Sequence, residues 1–274
     1  MDVKRLIPLL FFAFIFTFSS CMQTNVPIPT DSDVIEIVEP LENVDISHII
    51  DGDTFKILKD GVEQSVRVVG IDTPEIHESN KPIGEFGEEA RQFLEEFAQQ
   101  YEDKVYIKEV GKDSYGRILA YIFGKIDEDE YVFYESSITE KGLARPLIYF
   151  DNDDKSLTPR IAEAYNEAFQ NKVGIFSKWD SAPVLTDAQN YKSYIGKIVY
   201  LQGKVTNVTH SNGWYNISSD WFKIEIRQGE YQYLFNNYDL TSLKGKTVRF
   251  YGELWDENEI PEILLRSPNE IVIN

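Results

Sequence analysis

The sequence predicts an α+β fold made of two units, a small β-barrel capped by helices and then a second, all-β barrel. The chain has 274 residues, which exceeds the roughly 100 to 200 residues of a usual single domain. Short runs of β-branched and aromatic residues begin near Val44, with helical periodicity inserted between and after them. Near Ser181 this pattern breaks, and from about Tyr191 a new series of strand-like segments follows with almost no helical periodicity.

The N-terminal segment lacks the pattern of a folded unit. Lys4 and Arg5 precede an apolar run that closes on Ser19-Ser20-Cys21, which is typical of an export signal and short for a membrane span. Residues 1–21 resemble a bacterial lipoprotein signal, which implies that Cys21 is lipidated and anchors the protein to a membrane. Simple secretion or a retained N-terminal anchor are the alternatives. Residues 22–41, proline-containing and polar, predict a flexible tether, so we expect an extracytoplasmic protein at the cell envelope.

Residues 42–180 form the first predicted unit. Strands are predicted at 44–47, 54–58, 62–69, 105–109, 118–123 and 131–134, with an Asp60-Gly61 hairpin signal between the second and the third. Apolar residues spaced by three and four from Phe86 to Tyr101 predict an amphipathic helix. Thr158 and Pro159 are typical of the start of a second helix, and a shorter helical turn is predicted at 137–141.

Residues 191–274 form the second predicted unit, after a linker at 181–190. Strands are predicted at 199–205, 214–217, 221–227, 248–254 and 263–265. Five short strands without helical periodicity are typical of a small barrel of the oligonucleotide/oligosaccharide-binding (OB) type. Its aromatic residues either stack on nucleic-acid bases or pack in the core, and the sequence leaves both readings open.

The composition sets a condition on any polyanionic ligand. The chain has 27 Lys+Arg and 46 Asp+Glu residues, a net charge of −19, which repels anions such as nucleic acid. A metal ion and a few well-placed cations would have to supply local positive potential if such a ligand is to bind. The single cysteine, Cys21, excludes an intrachain disulfide and a cysteine-based zinc site, and the three histidines show no ligand spacing.

Four carboxylates are predicted to meet at the ends of neighbouring strands. Asp51 and Asp53 directly precede the strand at 54–58, while Asp72 and Glu75 follow the strand at 62–69. Oxygen ligands of this kind suit a hard cation such as Ca²⁺, and the absence of nearby Cys or His disfavours zinc. The alternative is that Asp-Gly-Asp is an ordinary turn and Asp-Thr-Pro-Glu a turn or helix cap. Each motif alone is weak evidence, and the two together are more specific.

Two arginines accompany these carboxylates. Arg67 alternates with apolar residues on the strand that precedes Asp72, and Arg117 comes just before the strand at 118–123. Guanidinium groups bind phosphate oxygens with two hydrogen bonds, so a metal, two arginines and a free carboxylate would suit the hydrolysis of a phosphodiester. For each arginine taken alone, a surface ion pair is the alternative.

Several motifs appear in a fixed order along residues 44–179. They are Ile50-Asp-Gly-Asp-Thr54, Arg67-x4-Asp72-Thr-Pro-Glu75, Gly84-x-Phe-Gly87-x-Glu-Ala90, Asp113-x-Tyr-Gly-Arg117, Gly142-Leu-Ala144 and Gly174-Ile-Phe176. In this order they resemble the thermonucleases, the staphylococcal-nuclease-like family, over about half of the chain. The resemblance implies a five-stranded OB-type barrel with three helices and a Ca²⁺-dependent phosphodiesterase that acts on DNA and RNA as a monomer.

The resemblance also implies a role for each matching residue. Asp53 and Asp72 are expected to bind Ca²⁺ through their carboxylates and Thr73 through its backbone carbonyl, with Asp51 close by. Glu75 is the expected general base, and Arg67 and Arg117 the expected phosphate ligands, in a cleavage that leaves 3′-phosphate ends. Substrate binding is expected at Tyr115 and Tyr149.

Three features depart from the family pattern. Ser114 replaces a lysine, the aromatic pair after Gly142-Leu-Ala144 is offset to Tyr149 and Phe150, and the loop between Glu75 and Phe86 differs in length and composition. The alternative function is a non-catalytic module that binds nucleic acid or protein, which the intact catalytic set disfavours. A third hypothesis is that the second unit binds a partner or a glycan at the envelope.

Overall fold

The computed structural model describes residues 34–77, 81–150 and 153–273. Within these ranges the first unit contains the helices α1 (Gly87–Gln100), α2 (Tyr134–Glu140) and α3 (Thr158–Asn171), and a 3₁₀-helix at Gly174–Lys178. Its strands are β1 (Val34–Glu36), β2 (Glu42–Asn43), β3 (Asp45–Ile49), β4 (Thr54–Lys59), β5 (Val62–Val68), β6 (Gly70–Asp72), β7 (Val105–Lys112), β8 (Ile118–Lys125), β9 (Glu130–Phe133) and β10 (Arg145–Leu147).

The second unit follows without a separate tether. Its strands are β11 (Val184–Leu185), β12 (Ile198–Lys204), β13 (Asn207–Ser211), β14 (Trp214–Ser218), β15 (Lys223–Arg227), β16 (Thr247–Glu253), β17 (Trp255–Glu257), β18 (Ile260–Leu264) and β19 (Ile271–Ile273). One α-helix, α4 (Gln228–Leu234), lies between β15 and β16, and 3₁₀-helices occur at Tyr191–Tyr194, Leu240–Leu243 and Pro268–Glu270.

The predicted strands of the first unit form one mixed sheet. Its order is β1-β9-β8-β5-β4-β3, with β7 also paired with β8 and β2 paired with β7. The β5–β8 pairing is parallel, and the other pairings are antiparallel. The predicted α+β fold with three helices is confirmed. The sheet has eight strands rather than five because β1, β2 and β9 extend the five longer strands β3, β4, β5, β7 and β8.

A glycine turn separates β5 from β6 and moves the chain to a second, smaller sheet. The predicted strand at 62–69 ends at Val68, and Gly70 has a φ of +81°, a conformation that glycine adopts without strain. After this turn β6 pairs antiparallel with β10, which places Asp72 opposite Arg145. Asp72 therefore lies beside the end of β5 rather than in line with it.

Helix α3 belongs to two hydrophobic cores at once. Leu157, just before the helix, and Ile161 pack in the core of the first unit, whereas Tyr165 and Ala168 belong to the core of the second. Phe176, in the 3₁₀-helix that follows, packs with the second core as well. The two units therefore share a helix as a common wall.

The second unit is built from two sheets around its own apolar core. Their orders are β11-β12-β16-β19 and β13-β14-β15-β18-β17. Helix α4, which the sequence did not predict, follows β15 directly, so this unit is not entirely β. Its closure into an OB-type barrel stays a prediction.

Buried polar contacts also join the two units. Arg145 forms an ion pair with Glu253 at 2.7 Å, and both side chains are almost fully buried. Tyr165 donates a hydrogen bond to Glu270, and Gly196 packs so closely on the chain at Ile83 that a Cβ would lie 2.0 Å from the Ile83 carbonyl oxygen. These contacts come from separate elements of each unit, so the interface is broad.

Two of the predicted connecting segments contain short strands. Val34–Glu36, within the predicted tether, pairs with β9. The backbone N–H and C=O groups along the edge of β9 are free to form hydrogen bonds with another strand. Val184–Leu185, within the predicted linker, pairs with β12. The predicted signal and the lipidation site Cys21 lie outside the described residues. In the described ranges, the longest helices are too short or too polar to cross a membrane.

Candidate active site

The turn before β4 lies beside the end of β5 because these two strands pair antiparallel. Asp53, the last residue of the turn, forms an ion pair with Arg67, whose other terminal nitrogen lies 3.0 Å from Oδ1 of Asp72. Oδ2 of Asp53 accepts a hydrogen bond from the backbone N–H of Thr73 at 2.7 Å. The structure therefore brings residues of both sequence motifs into direct contact.

Gly52 allows this turn to approach helix α1 closely. A Cβ on Gly52 would lie 2.8 Å from Cβ of Ala90 and 2.9 Å from Cγ2 of Thr73, so a larger residue would displace one of them. The carbonyl oxygen of Gly52 accepts a hydrogen bond from the hydroxyl of Tyr134 at 2.5 Å. The Asp-Gly-Asp motif is thus fixed by packing on both sides.

Asp51 points its carboxylate back into the same turn. Its Oδ1 accepts the backbone N–H of Asp53 at 3.0 Å. Burial, and then the neighbouring charge of Asp53, raise the pKa of Asp51 to about 7. The turn therefore crowds more negative charge than its nearest cations neutralise.

Asp72 is surrounded by cations from three separate parts of the chain. Burial alone would raise its pKa, but Lys81, Arg67 and Arg266 outweigh burial and hold the pKa below its usual range. The Nζ of Lys81 lies 2.9 Å from Oδ1 of Asp72, and Nη2 of Arg266 lies 3.6 Å from Oδ2. Arg266 belongs to the second unit, so that unit reaches the carboxylate cluster directly.

Glu75 is linked to the cluster through Lys81. The Nζ of Lys81 lies 3.0 Å from Oε1 of Glu75, so one ammonium bridges Glu75 and Asp72. Burial lowers the pKa of Lys81, but these two carboxylates outweigh it and raise the pKa above its ordinary value. Glu75 remains partly exposed, with about a quarter of its side chain accessible. The predicted general base is therefore both anchored and open to solvent.

Arg117 stands in a tight turn between β7 and β8. Its Nε donates to Oδ2 of Asp113 at 2.7 Å, and Oδ1 of the same carboxylate accepts the backbone N–H groups of Tyr115 and Arg117 at 2.9 Å. These bonds fix the guanidinium plane. The Tyr115 ring, 84% exposed, has its centroid 5.8 Å from Cζ of Arg117.

A cavity of about 500 Å³ connects these groups and lies between the two units. Arg67, Asp72, Arg117 and Tyr149 line it from the first unit, and Trp255 is among the residues that line it from the second. Its charged lining side chains are four cations and three acids, namely Arg67, Lys81, Arg117 and Arg227 with Asp72, Asp113 and Asp153. The lining therefore carries cations and acids in nearly equal number, whereas the whole chain has a net charge of −19.

The donor types at the turn suit a hard cation, but Asp51, Asp53 and Asp72 are not among the described carboxylates whose ligand atoms gather within 4.8 Å of one another. Asp51, Asp53 and Asp72 offer buried carboxylate oxygens, and the hydroxyl oxygen of Thr73 is buried with no hydrogen-bond partner in the described ranges. Arg67 bridges Asp53 and Asp72, where it provides the positive charge that a cation would supply.

Another acidic cluster lies in the second unit. Glu225, Glu257 and Glu262 have ligand atoms within 4.8 Å of one another, but Lys223 forms ion pairs with all three. This cluster is therefore explained by its own lysine.

The predicted residues do not all reach the cavity. Arg67, Asp72, Arg117 and Tyr149 line it, and Glu75 meets it through Lys81. Asp51 and Asp53 do not line the cavity, and Asp53 contacts Arg67, which does. Tyr115 does not line it either and lies on the exposed turn.

Four residues of this region were not among the predicted site residues. Lys81 lies in the loop between Glu75 and Phe86, which differs from the family pattern, and Arg227, Trp255 and Arg266 come from the second unit. The alternation of polar and apolar residues in β15 ends at Arg227, so the sequence indicates that this arginine lies on the polar face of a strand. It does not indicate which part of the molecule that face contacts.

Known proteins match the first unit. A family model described as staphylococcal nuclease homologue matches residues 65–178. The chain is 33% identical over 133 residues to a thermonuclease of Staphylococcus hyicus, which covers 48% of this chain and 74% of that protein. It is 32% identical over 133 residues to a thermonuclease of Staphylococcus intermedius, covering 48% and 75%. It is also 31% identical over 140 residues to the endonuclease YncB of Bacillus subtilis, covering 50% and 63%.

Proposed function

This chain belongs to the staphylococcal nuclease family, and on that premise we propose that it is a nuclease that hydrolyses phosphodiester bonds of DNA, RNA or both. We further propose that the reaction depends on Ca²⁺ and leaves 3′-phosphate ends. The observation that carries the proposal is that Arg67 joins Asp53 to Asp72 at the wall of a cavity lined by four cations and three acids, with Glu75 one lysine away.

The carboxylates of Asp53 and Asp72, the backbone carbonyl of Thr73 and the nearby Asp51 would hold the cation. Bound there, Ca²⁺ would supply positive charge opposite the phosphoryl oxygens of the substrate. The same carboxylates now engage Arg67, so neutralising them by other means would leave that guanidinium available to a phosphate.

Glu75 is the group proposed to take a proton from the attacking water. A general base must carry negative charge and be reachable, and this carboxylate is partly exposed and held by Lys81. The lysine fixes the position of the carboxylate while leaving part of its surface open.

The two arginines are proposed to bind the phosphoryl oxygens. Arg67 and Arg117 line the same cavity from different strands, and Asp113 fixes the plane of Arg117. Asp113 holds Arg117 in place, and Arg67 becomes available once its two carboxylates are neutralised; both guanidinium groups would then favour the developing negative charge of the transition state.

The location of the protein forms part of the proposal. The signal-like residues 1–21 support export, and Cys21 supports a lipid anchor that would hold a monomeric nuclease at the cell envelope.

The central test replaces the proposed base while keeping its shape. In the full-length protein, Glu75→Gln should reduce the rate of cleavage of plasmid and single-stranded DNA on the order of 10²- to 10⁴-fold, because the amide cannot accept the proton. A chelator should abolish wild-type cleavage, and added Ca²⁺ should restore it. The measurement is the initial rate, with the product ends analysed for a 3′-phosphate.

Glu89→Gln is the matched control, since Glu89 lies on the exposed face of α1 and should leave the rate unchanged. An inert wild type in millimolar Ca²⁺ would favour the non-catalytic binding module instead. Full activity of the Glu75→Gln variant would remove Glu75 from the mechanism.

A further inference from the structure

We propose that Arg227, at the end of β15 in the second unit, binds a backbone phosphate of the nucleic acid next to the one that is cleaved. The inference rests on the proposed nuclease function and names a substrate contact outside the unit that the family model matches. It makes the second unit a part of the substrate cleft.

The position of Arg227 is the first argument. Arg227 lines the same cavity as Arg67 and Arg117, while Trp255 and Leu264 form neighbouring parts of the wall. A strand bound with its scissile phosphate at the two arginines of the first unit would extend along this wall. The adjacent phosphate of that strand would then come within reach of Arg227, which lines the cavity from the second unit.

The second argument concerns the hydrogen bonds of the guanidinium. Its Nη1 lies 3.2 Å from Oε1 of Glu230, and its Cζ lies 4.8 Å from the ring centroid of Trp214. Its Nε is buried and has no hydrogen-bond partner among the described residues. A buried donor without a partner is costly, and a phosphate oxygen in the cavity would remove that cost.

The third argument is the shortage of negative charge around this arginine. Oε1 of Glu230 is shared, because Nη1 of Arg266 lies 2.9 Å from the same oxygen. Burial first, and then the charge of Arg266, lower the pKa of Arg227 below its ordinary value. Only about 15% of the Arg227 side chain is exposed, so an anion that reaches it interacts through little water. A phosphate group carries the negative charge that this site lacks, and two of its oxygens can accept hydrogen bonds from one planar guanidinium.

The same sharing makes Arg227 a suitable residue to remove. Glu230 keeps Arg266 as its ion-pair partner when Arg227 is replaced, so no carboxylate is left buried without a cation. We therefore expect Arg227→Ala to fold.

The test compares substrates that differ in their number of phosphates. With an oligonucleotide of several nucleotides, Arg227→Ala in the full-length protein should raise KM on the order of ten- to a hundredfold and change kcat little. With a dinucleoside monophosphate, which has a single phosphodiester, KM should stay at the wild-type value. Arg249→Ala is the matched control, because Arg249 is a half-buried arginine of the same unit that donates to Gln202 at 2.6 Å and does not line the cavity.

Binding is measured separately in the Glu75→Gln background, with single-stranded DNA and Ca²⁺ at several salt concentrations. Loss of one phosphate contact should reduce the slope of log affinity against log salt by about 0.7. Arg227→Lys should keep most of the affinity and Arg227→Gln should lose it, which decides the question even if the alanine variant is unstable.

Two results would overturn the inference. One is a wild-type KM for the long oligonucleotide in the alanine or glutamine variant of an active enzyme. The other is an equal rise of KM for the dinucleoside monophosphate, which would indicate general distortion of the site. A wild-type protein that cleaves neither substrate while single-stranded DNA still binds would instead contradict the proposed function, and the salt slope would still test Arg227.

Discussion

Glu135, at the start of α2, is a fully buried carboxyl group whose neighbours stabilise it with little positive charge. Its two oxygens lie 3.2 and 3.3 Å from the backbone nitrogen of Ile122, which donates to them. Burial raises the pKa of Glu135 well above its ordinary value, so the folded protein keeps this proton to a higher pH than the unfolded chain does. The unfolded chain releases this proton at the ordinary pKa, and folding stability is therefore lost as the pH rises above that value.

Replacing this carboxyl by an amide should make folding stability less dependent on pH. Glu135→Gln cannot ionise, so its free energy of unfolding should fall less than that of the wild type between about pH 5 and pH 8. For each unit by which the pKa of Glu135 in the folded protein exceeds its value in the unfolded chain, the free energy of unfolding changes by about 1.4 kcal/mol. Denaturant unfolding at the two pH values measures it, with the exposed Glu89→Gln as control. Parallel pH profiles for wild type and variant would show that Glu135 is charged in the folded state.

At the residue scale, the sequence identified the local members of the site and missed the distant ones. Arg67 lies on β5 opposite Thr54 of β4, and Asp53 directly precedes Thr54, so the contact between Asp53 and Arg67 follows from a hairpin that the sequence displays. Lys81 directly precedes Pro82 in a loop without periodicity, and Arg266 is far along the chain. Their contacts with Asp72 depend on loop path and on packing between units, which no local pattern encodes.

At the scale of elements, helix α1 determines where the Asp-Gly-Asp turn lies. Ala90, Leu94 and Phe97 bury one face of α1 in the first core, and Gly52 approaches the helix at Ala90. The first turn of the helix supports the other motif as well, since a Cβ on Gly87 would lie 2.9 Å from the carbonyl oxygens of Pro74 and Glu75. One helix therefore holds both halves of the site.

A methyl group at Gly52 should separate the turn from α1. Gly52→Ala should destabilise the fold by about 1–3 kcal/mol, a usual cost of overpacking, and should lower the nuclease rate at limiting Ca²⁺ more than at saturating Ca²⁺. Thermal unfolding and a Ca²⁺ titration of the rate measure the two effects. Gly61→Ala is the control, because Gly61 lies in the open hairpin turn and should affect stability alone. If the Ca²⁺ dependence of the rate were unchanged in Gly52→Ala, the position of this turn would not affect binding of the cation.

Helix α3 shows what periodicity does and does not reveal. Ile161, Tyr165 and Ala168 have the spacing of three and four that is typical of the buried face of a helix, and all of them are buried. It gave no sign that Ile161 faces one core while Tyr165 and Ala168 face another. Burial can be predicted from the sequence of one helix, whereas the partner depends on a unit that comes later in the chain.

On the scale of the whole molecule, the shared helix predicts a single cooperative unfolding transition. Calorimetry should give one peak, with calorimetric and van't Hoff enthalpies that agree. A chain shortened to end at Trp179 should be several kcal/mol less stable or fail to fold, since Tyr165 and Phe176 would each lose burial worth about 1.5–3 kcal/mol. Circular dichroism during heating measures this, with a chain that begins at residue 22 as the control. Two separate peaks, or a shortened chain of wild-type stability, would contradict the shared-wall arrangement.

The net charge also has a different meaning once the whole molecule is considered. From composition, −19 argued against a polyanionic substrate. In the structure, many surface acids are held in local ion pairs, such as Glu63 with Lys56 and Glu88 with Arg91, while cations from both units line the cavity. The composition predicts that the protein as a whole repels nucleic acid. Only the arrangement of the two units shows where cations lie that could bind it.

The wall shared through α3 also affects the order in which the molecule is completed during synthesis. The carboxylates, Arg67 and Arg117 all precede α3 in the chain, and the residues that cover its second face and close the cavity come after it. A growing chain therefore carries its whole proposed catalytic set before it has the wall against which a substrate strand would lie. The time between synthesis of the proposed catalytic residues and closure of the cavity depends on the length of the second unit. The cavity is therefore completed only near the end of synthesis.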